Sequence, residues 1–204
     1  MDFPSPLDAF IPRPDVQERL HTTIRAPASV VLEEATNLDL QALPLVRLTF
    51  RLREVLMRAA PTTVSRKPQG LLAETRSLGW GTLVQQPARL IVCGAVCRPW
   101  QADVVFTPIP PDAFASYAEP DQVKIAWTLE AESIGPALTR FIHETRAVAT
   151  DAEARAKFRS YWRWARFGIV GIRLLLLPAI RRNAERRWAS EVHRPAPVTV
   201  PPDD

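Results

Sequence analysis

Apolar and polar positions recur along this chain with two different periods. From Gln122 to Glu132 the period is two, with Val123, Ile125, Trp127, Leu129 and Ala131 set against Lys124, Thr128, Glu130 and Glu132. That alternation predicts a half-buried strand. Val16–Ile24 alternates in the same way, with His21 in the polar set, where it reads as a solvated histidine. Further strands are predicted over Trp80–Gln86, Arg89–Arg98, Asp103–Thr107 and Leu138–Ala149, with turns at Gln86-Pro87-Ala88 and Gly135-Pro136. The Arg89–Arg98 strand is apolar on both faces, so it belongs inside a sheet rather than at an edge. Gly79 and Gly81 flank Trp80 and mark a bulge or a close backbone approach.

Elsewhere the period is helical. In the run Asp151–Trp188, Phe158, Tyr161, Ala165, Ile169, Ile172, Leu176 and Ile180 recur at steps of three and four and form one stripe. Asp151 stands at the N-cap position. Gly168 and Gly171 each weaken a helix by roughly 1 kcal/mol relative to Ala, so a break is expected near 167–171 and an end near Trp188. Phe167, Val170, Leu174 and Leu177 point off the stripe, so a second apolar face must be buried or meet a partner. Two shorter helices are expected after the first strand, over Ala28–Thr36 and from Asp39 to about Ala59, and one or two helical turns over 111–117. Residues 1–14 hold four prolines and read as an extended arm. A single domain covers 15–190, and the proline-rich tail 191–204 reads as disordered.

Charge changes this picture only locally. The net charge of +4 is modest for 204 residues, and with no nucleic-acid motif present, a nucleic-acid partner is not expected. Arginines crowd the last helix instead. The stretch 162–180 contains Arg163, Arg166 and Arg173, and central arginines cost about 2.5–3.5 kcal/mol each in a bilayer, which argues against a membrane span. Cys93 and Cys97 on one strand stand about 13 Å apart, beyond the roughly 7 Å reach of a disulfide. They read as reduced thiols of a cytoplasmic protein, since no signal peptide precedes them. The histidines His21, His143 and His193 are scattered and no CxxC occurs, so neither a metal nor a cofactor is expected. Nucleophile elbows, P-loops and dinucleotide fingerprints are absent from the 204 residues.

The order strand, two short helices, antiparallel hairpins and a long last helix predicts an α+β helix-grip (START-like) fold, with a curved antiparallel sheet wrapped on the C-terminal helix. On the segments GWGTLVQQPARLIVCGAV (79–96), FTPIPPDAFASYAEPDQVKIAWTLEAESIGPALTRFIHETRAVATD (106–151) and FRSYWRWARFGIVGIRLLLLPAIRRNAE (158–185), the chain resembles the SRPBCC superfamily of START-like and polyketide-cyclase-like proteins, and a bacterial group within it. The resemblance covers about residues 15–188. It implies an apolar cavity between sheet and helix that holds a small hydrophobic ligand such as a lipid, polyketide, sterol or quinone. It brings no catalytic motif with it.

Candidate cavity residues are the aromatics Trp80, Trp100, Phe106, Tyr117, Trp127, Tyr161 and Trp162, together with Leu129. Glu144 and Arg146 lie two apart on a strand and share a face. Were that face the inner one, they would form a buried acid–base pair able to orient a polar head or move a proton. Phe141 and His143 fall on the opposite face. The expected function is ligand binding or carriage without turnover. The alternatives are a cyclase or dehydratase acting in the same cavity, and a peripheral membrane or homodimer contact through the last helix.

Overall fold

The computed structural model describes residues 4–39 and 70–193. The expected helix from Asp39 to Ala59 and the loop after it lie outside the described residues, as does the tail beyond His193. Five antiparallel strands form one sheet in the order β1-β5-β4-β3-β2. They are β1 (Val16–Ile24), β2 (Gly81–Gln86), β3 (Leu90–Cys97), β4 (Val123–Gly135) and β5 (Leu138–Ala149). The helices are α1 (Ala28–Asn37), α2 (Leu71–Ser77), α3 (Pro111–Phe114) and the 41-residue α4 (Ala152–Val192). This is the expected α+β arrangement of a curved sheet and a long C-terminal helix.

The period-two pattern decides which side of each strand is covered. On the inner side, Ile24, Ile91, Cys93, Trp127, Leu129, Ala131 and Phe141 pack with Val30, Val31 and Ala35 of α1 and with Leu176, Leu177 and Ile180 of α4. Burying a side chain such as Phe141, which is fully enclosed, stabilises by about 1.5–3 kcal/mol. On the outer side, Leu83, Leu90, Val92, Phe114 and Ala126 pack with Leu7 and Ile11 from the N-terminal segment. Strand β3 is buried at every position and runs between two neighbours, as its apolar faces require.

Helix α4 runs without the break expected at its glycines. Two glycines cost roughly 2 kcal/mol together. Phe158, Leu176 and Ile180 on the inner stripe are each buried, at about 1.5–3 kcal/mol apiece, so packing outweighs propensity. Pro178 also lies inside the helix. The bond it forgoes would go to the Leu174 carbonyl, and both residues are on the exposed side, where water can take that carbonyl. The unbroken helical phase turns Leu177 inward, contrary to expectation, and leaves Phe167 and Leu174 outside. The helix ends at Val192 rather than near Trp188, and Asp151 caps its start by accepting from the Ala154 N–H at 2.7 Å.

Three other expectations are corrected. The N-terminal segment is not an extended arm: Pro6–Ala9 is a 3-10 turn with a reciprocal Ser5–Asp8 capping box, and Leu7 and Ile11 are buried. Residues 103–107 make a single bridge, Thr107 with Val96, instead of a strand, because Asp103 and Val105 face solvent. Helix α2, unforeseen, closes one end of the inner side with Leu71 and Leu72.

Candidate functional site

Strands β4 and β5 present alternate residues to α4. Ile125, Trp127 and Leu129 from β4 face the same space as Phe141, His143, Thr145 and Ala147 from β5. Strand β1 adds Val16 and Glu18, and α4 closes over them with Phe158, Tyr161, Trp162, Ile169, Leu176, Leu177 and Ile180. The space between them, partly open to solvent, has a volume of about 360 Å³. One end is an aromatic stack: Trp80 lies 4.9 Å from Phe106 and 6.2 Å from Trp127, centroid to centroid. Gly79 permits that stack. Its φ is +99°, and a Cβ there would stand 2.2 Å from the Phe106 carbonyl oxygen. This is the close backbone approach that the flanking glycines foretold, whereas the bulge itself falls between Thr82 and Val84.

The strongest polar groups on this wall are Glu18, Thr75, His143 and Thr145. Glu18 is paired across the sheet with Thr145, and Leu20 with His143, so the carboxylate and the imidazole are diagonal neighbours on one face. His143 Nδ1 lies 2.7 Å from the Thr128 carbonyl oxygen. A carbonyl only accepts, so Nδ1 carries the hydrogen. The Thr75 hydroxyl donates to the Leu71 carbonyl at 2.7 Å. This wall can orient an apolar molecule that carries a hydrogen-bonding end.

Of the residues expected at a cavity, Trp80, Phe106, Trp127, Leu129, Tyr161 and Trp162 line it. Trp100 does not: it packs against the buried cluster of Val123, Ala147, Ala149, Ala154 and Phe158, with the Lys157 ammonium 5.7 Å from its ring. Tyr117 lies away from it, bonded to Glu119 at 3.1 Å. Glu144 and Arg146 lie on the outer face of the sheet, which removes them from any cavity chemistry. There Arg146 donates to Glu144 at 2.7 Å, to Asp8 at 2.7 Å and to the Ile11 carbonyl at 2.9 Å. Ser5 and Gln17 donate to Glu144 at 2.8 and 3.0 Å. The pair is a buried anchor for the N-terminal segment. Such a pair costs desolvation unless it is fully hydrogen-bonded, and here the segment supplies the bonds.

His143, Thr145, Phe141 and Glu18 are among the inner residues left out of the candidate cavity set, although Phe141 and His143 were placed on the face opposite Glu144. Their parity along β5 and β1 was visible. What decided the face was the ladder, which sets Trp127 opposite Thr145 and Ala131 opposite Phe141, and this register is not written in either strand alone. His21 is exposed as expected. Cys93 and Cys97 are free and buried, and burial pushes the Cys93 thiol up to about 11. Among the described residues no group of His, Cys, Asp and Glu could hold a metal ion, and no helix is long and apolar enough to cross a membrane.

No protein-family model matches the chain, and no curated protein matches it. Solved structures show faint likeness. A conserved protein from Geobacillus kaustophilus shares 10% identity, with 86% of this chain and 97% of that one covered and a TM-score of 0.36. CalU16 from Micromonospora echinospora shares 14%, covering 87% and 88%, at a TM-score of 0.29. The Zhui aromatase/cyclase from Streptomyces sp. R1128 shares 13%, covering 84% and 94%, at 0.29. With scores this low, the architecture rests on the sheet order and packing described above.

Proposed function

We propose that the chain is a helix-grip protein of the SRPBCC kind that binds or carries a small hydrophobic ligand, a lipid-, polyketide- or quinone-like molecule, between its sheet and α4. The observation that carries this reading is the apolar, partly open space between sheet and helix. About 360 Å³ is walled by Trp80, Phe106, Trp127, Phe141, Phe158 and Trp162, with few polar groups among them. That is the size and chemistry of a site for a small apolar molecule. Free, buried Cys93 and Cys97 fit a reducing, cytoplasmic setting. The test is native mass spectrometry of the full chain purified from its own host, followed by uptake of N-phenyl-1-naphthylamine after delipidation. A co-purifying apolar species and a saturable fluorescence rise are expected. A clean protein that takes up no probe overturns the reading.

A second reading, a cyclase- or dehydratase-type enzyme in the same cavity, is favoured by one observation. His143 lines the space with its Nδ1 hydrogen held by the Thr128 carbonyl, on the same face of the sheet as Glu18. A His143→Gln variant that keeps probe uptake but loses conversion of a supplied polyketide-like substrate supports it; unchanged conversion ends it.

A further inference from the structure

Helix α4 has two faces with opposite partners in view. Inward, Tyr161, Trp162, Ile169 and Leu176 wall the cavity. Outward, Trp164, Phe167 and Leu174 are 43%, 70% and 58% exposed, with exposed Pro178 following. Those positions, with Gly171 between them, step by three and four and form one stripe about 20 Å long. Solvent-facing Phe and Trp in such a row need a reason.

The charge around the stripe supplies one. Between Glu153 and Glu185 the sequence carries Arg155, Lys157, Arg159, Arg163, Arg166, Arg173, Arg181 and Arg182 and no acidic residue. Arg155, Lys157 and Arg181 are taken up in ion pairs with Asp15, Asp121 and Glu185. Arg159, Arg163, Arg166 and Arg182 are exposed and form no ion pair with a described residue. Arg166 lies 4.8 Å over the Phe167 ring. Arg159 and Arg163 line a groove that shares Val16, Phe158 and Trp162 with the cavity wall and also contains Asp15, whose charge is taken up by Arg155, so an anionic group held by the two arginines lies beside the ligand space.

We infer that this face of α4 docks on an anionic lipid surface, with Trp164, Phe167 and Leu174 entering the headgroup layer and the flanking arginines taking lipid phosphates. Exposed aromatic and aliphatic residues bordered by arginine match the boundary between headgroups and acyl chains. A second copy of the chain is disfavoured, because a two-fold contact sets this acid-free stretch against itself. The segment 40–69 is disfavoured as a cover by the same sign of charge: it holds Arg47, Arg51, Arg53, Arg58, Arg66 and Lys67 against Glu54 alone. On the ligand reading proposed above, the docked helix is also the cavity's wall, so the hydrophobic ligand passes between bilayer and cavity along α4.

The test is co-sedimentation of the full chain with phosphatidylcholine vesicles, with and without phosphatidylglycerol, at low and high salt. Binding is expected only with phosphatidylglycerol, and it falls as salt rises. Phe167→Ser with Leu174→Ser, which removes the apolar anchor, and separately Arg163→Glu with Arg166→Glu, which removes the attraction to lipid phosphates, each lower it by roughly tenfold or more. Both pairs lie on the exposed side, so thermal melts and probe uptake stay near the parent's. No binding at low salt overturns the inference. So does equal binding to neutral vesicles, a dimer in solution that both pairs dissolve, or protection of Phe167 from hydroxyl-radical labelling before vesicles are added. Lost vesicle binding with intact probe uptake removes this inference alone; vesicle binding without probe uptake removes the cavity reading alone.

Discussion

Glu144 and Arg146 show how much one side-chain direction decides. Two residues from one strand share a face, and that much was legible. Which face they share was not, because it depends on which neighbour strands and which cover they meet. Glu144 is 1% exposed and meets Ser5, Gln17 and Arg146. Breaking a buried pair from one side costs about 3–5 kcal/mol, so Glu144→Gln or Arg146→Met is expected to lower stability by roughly that amount, read from denaturant midpoints. Replacing both at once costs less. Probe uptake per folded molecule stays unchanged, since both side chains lie on the opposite side of the sheet from the cavity; a drop in it would place them inside after all. Asp8 adds a pH dependence. The Ser5 backbone N–H, and then Arg146, hold its carboxyl below the ordinary aspartate value. A depressed folded value contributes stability above the unfolded value of about 4, and that contribution is lost as pH falls through the folded value. The parent is therefore expected to lose stability in that acid range, and Asp8→Asn to flatten that part of a midpoint-versus-pH series.

At the scale of elements, α4 was legible as an inner stripe and misread as two pieces. The stripe Phe158, Tyr161, Ala165, Ile169, Leu176 and Ile180 turned inward as its spacing required. The glycines suggested a break because propensity is local, while the burial that holds the helix together comes from residues far away in sequence. Gly171 and Gly79 separate the two situations. A Cβ at Gly171 meets nothing within 4 Å, so Gly171→Ala is expected to raise stability by about 0.5–1 kcal/mol. At Gly79 the backbone is left-handed and the added carbon meets the Phe106 carbonyl. Gly79→Ala is expected to cost about 1–3 kcal/mol and to disturb the Trp80–Phe106 stack, which a change in tryptophan fluorescence would report. Thermal melts of the two variants moving in the same direction would refute this account of the helix. The far end of α4 is held separately: Arg187 bonds Glu33 at 2.7 Å and Glu34 at 3.2 Å on α1, a tie between distant segments that no local pattern displayed.

Among the described residues, the sheet is packed over part of its outer side and hollow beneath α4 on its inner side, and the difference follows from what each side packs against. Outside, Leu7, Ile11 and Phe114 fill the surface against Leu83 and Val92. Inside, α1 and the end of α4 pack against the Ile24–Phe141 region, while the middle of α4 stands over Ile125, Trp127 and Thr145 with space between. Interiors are otherwise close-packed, so that space leaves contacts unmade that a ligand can make. A ligand that binds only the folded chain stabilises it by about 2.7 kcal/mol at a hundred times its Kd. Filling the space from within removes that linkage. Thr145 faces the cavity in mid-strand, where an aromatic residue suits the backbone. Thr145→Phe is expected to melt at or above the temperature of the delipidated parent, to take up little N-phenyl-1-naphthylamine, and to show no rise in Tm when the host lipid extract is added. The parent shows that rise. If Thr145→Phe still responds to the extract as the parent does, the ligand lies elsewhere, and the space beneath α4 is only a packing fault.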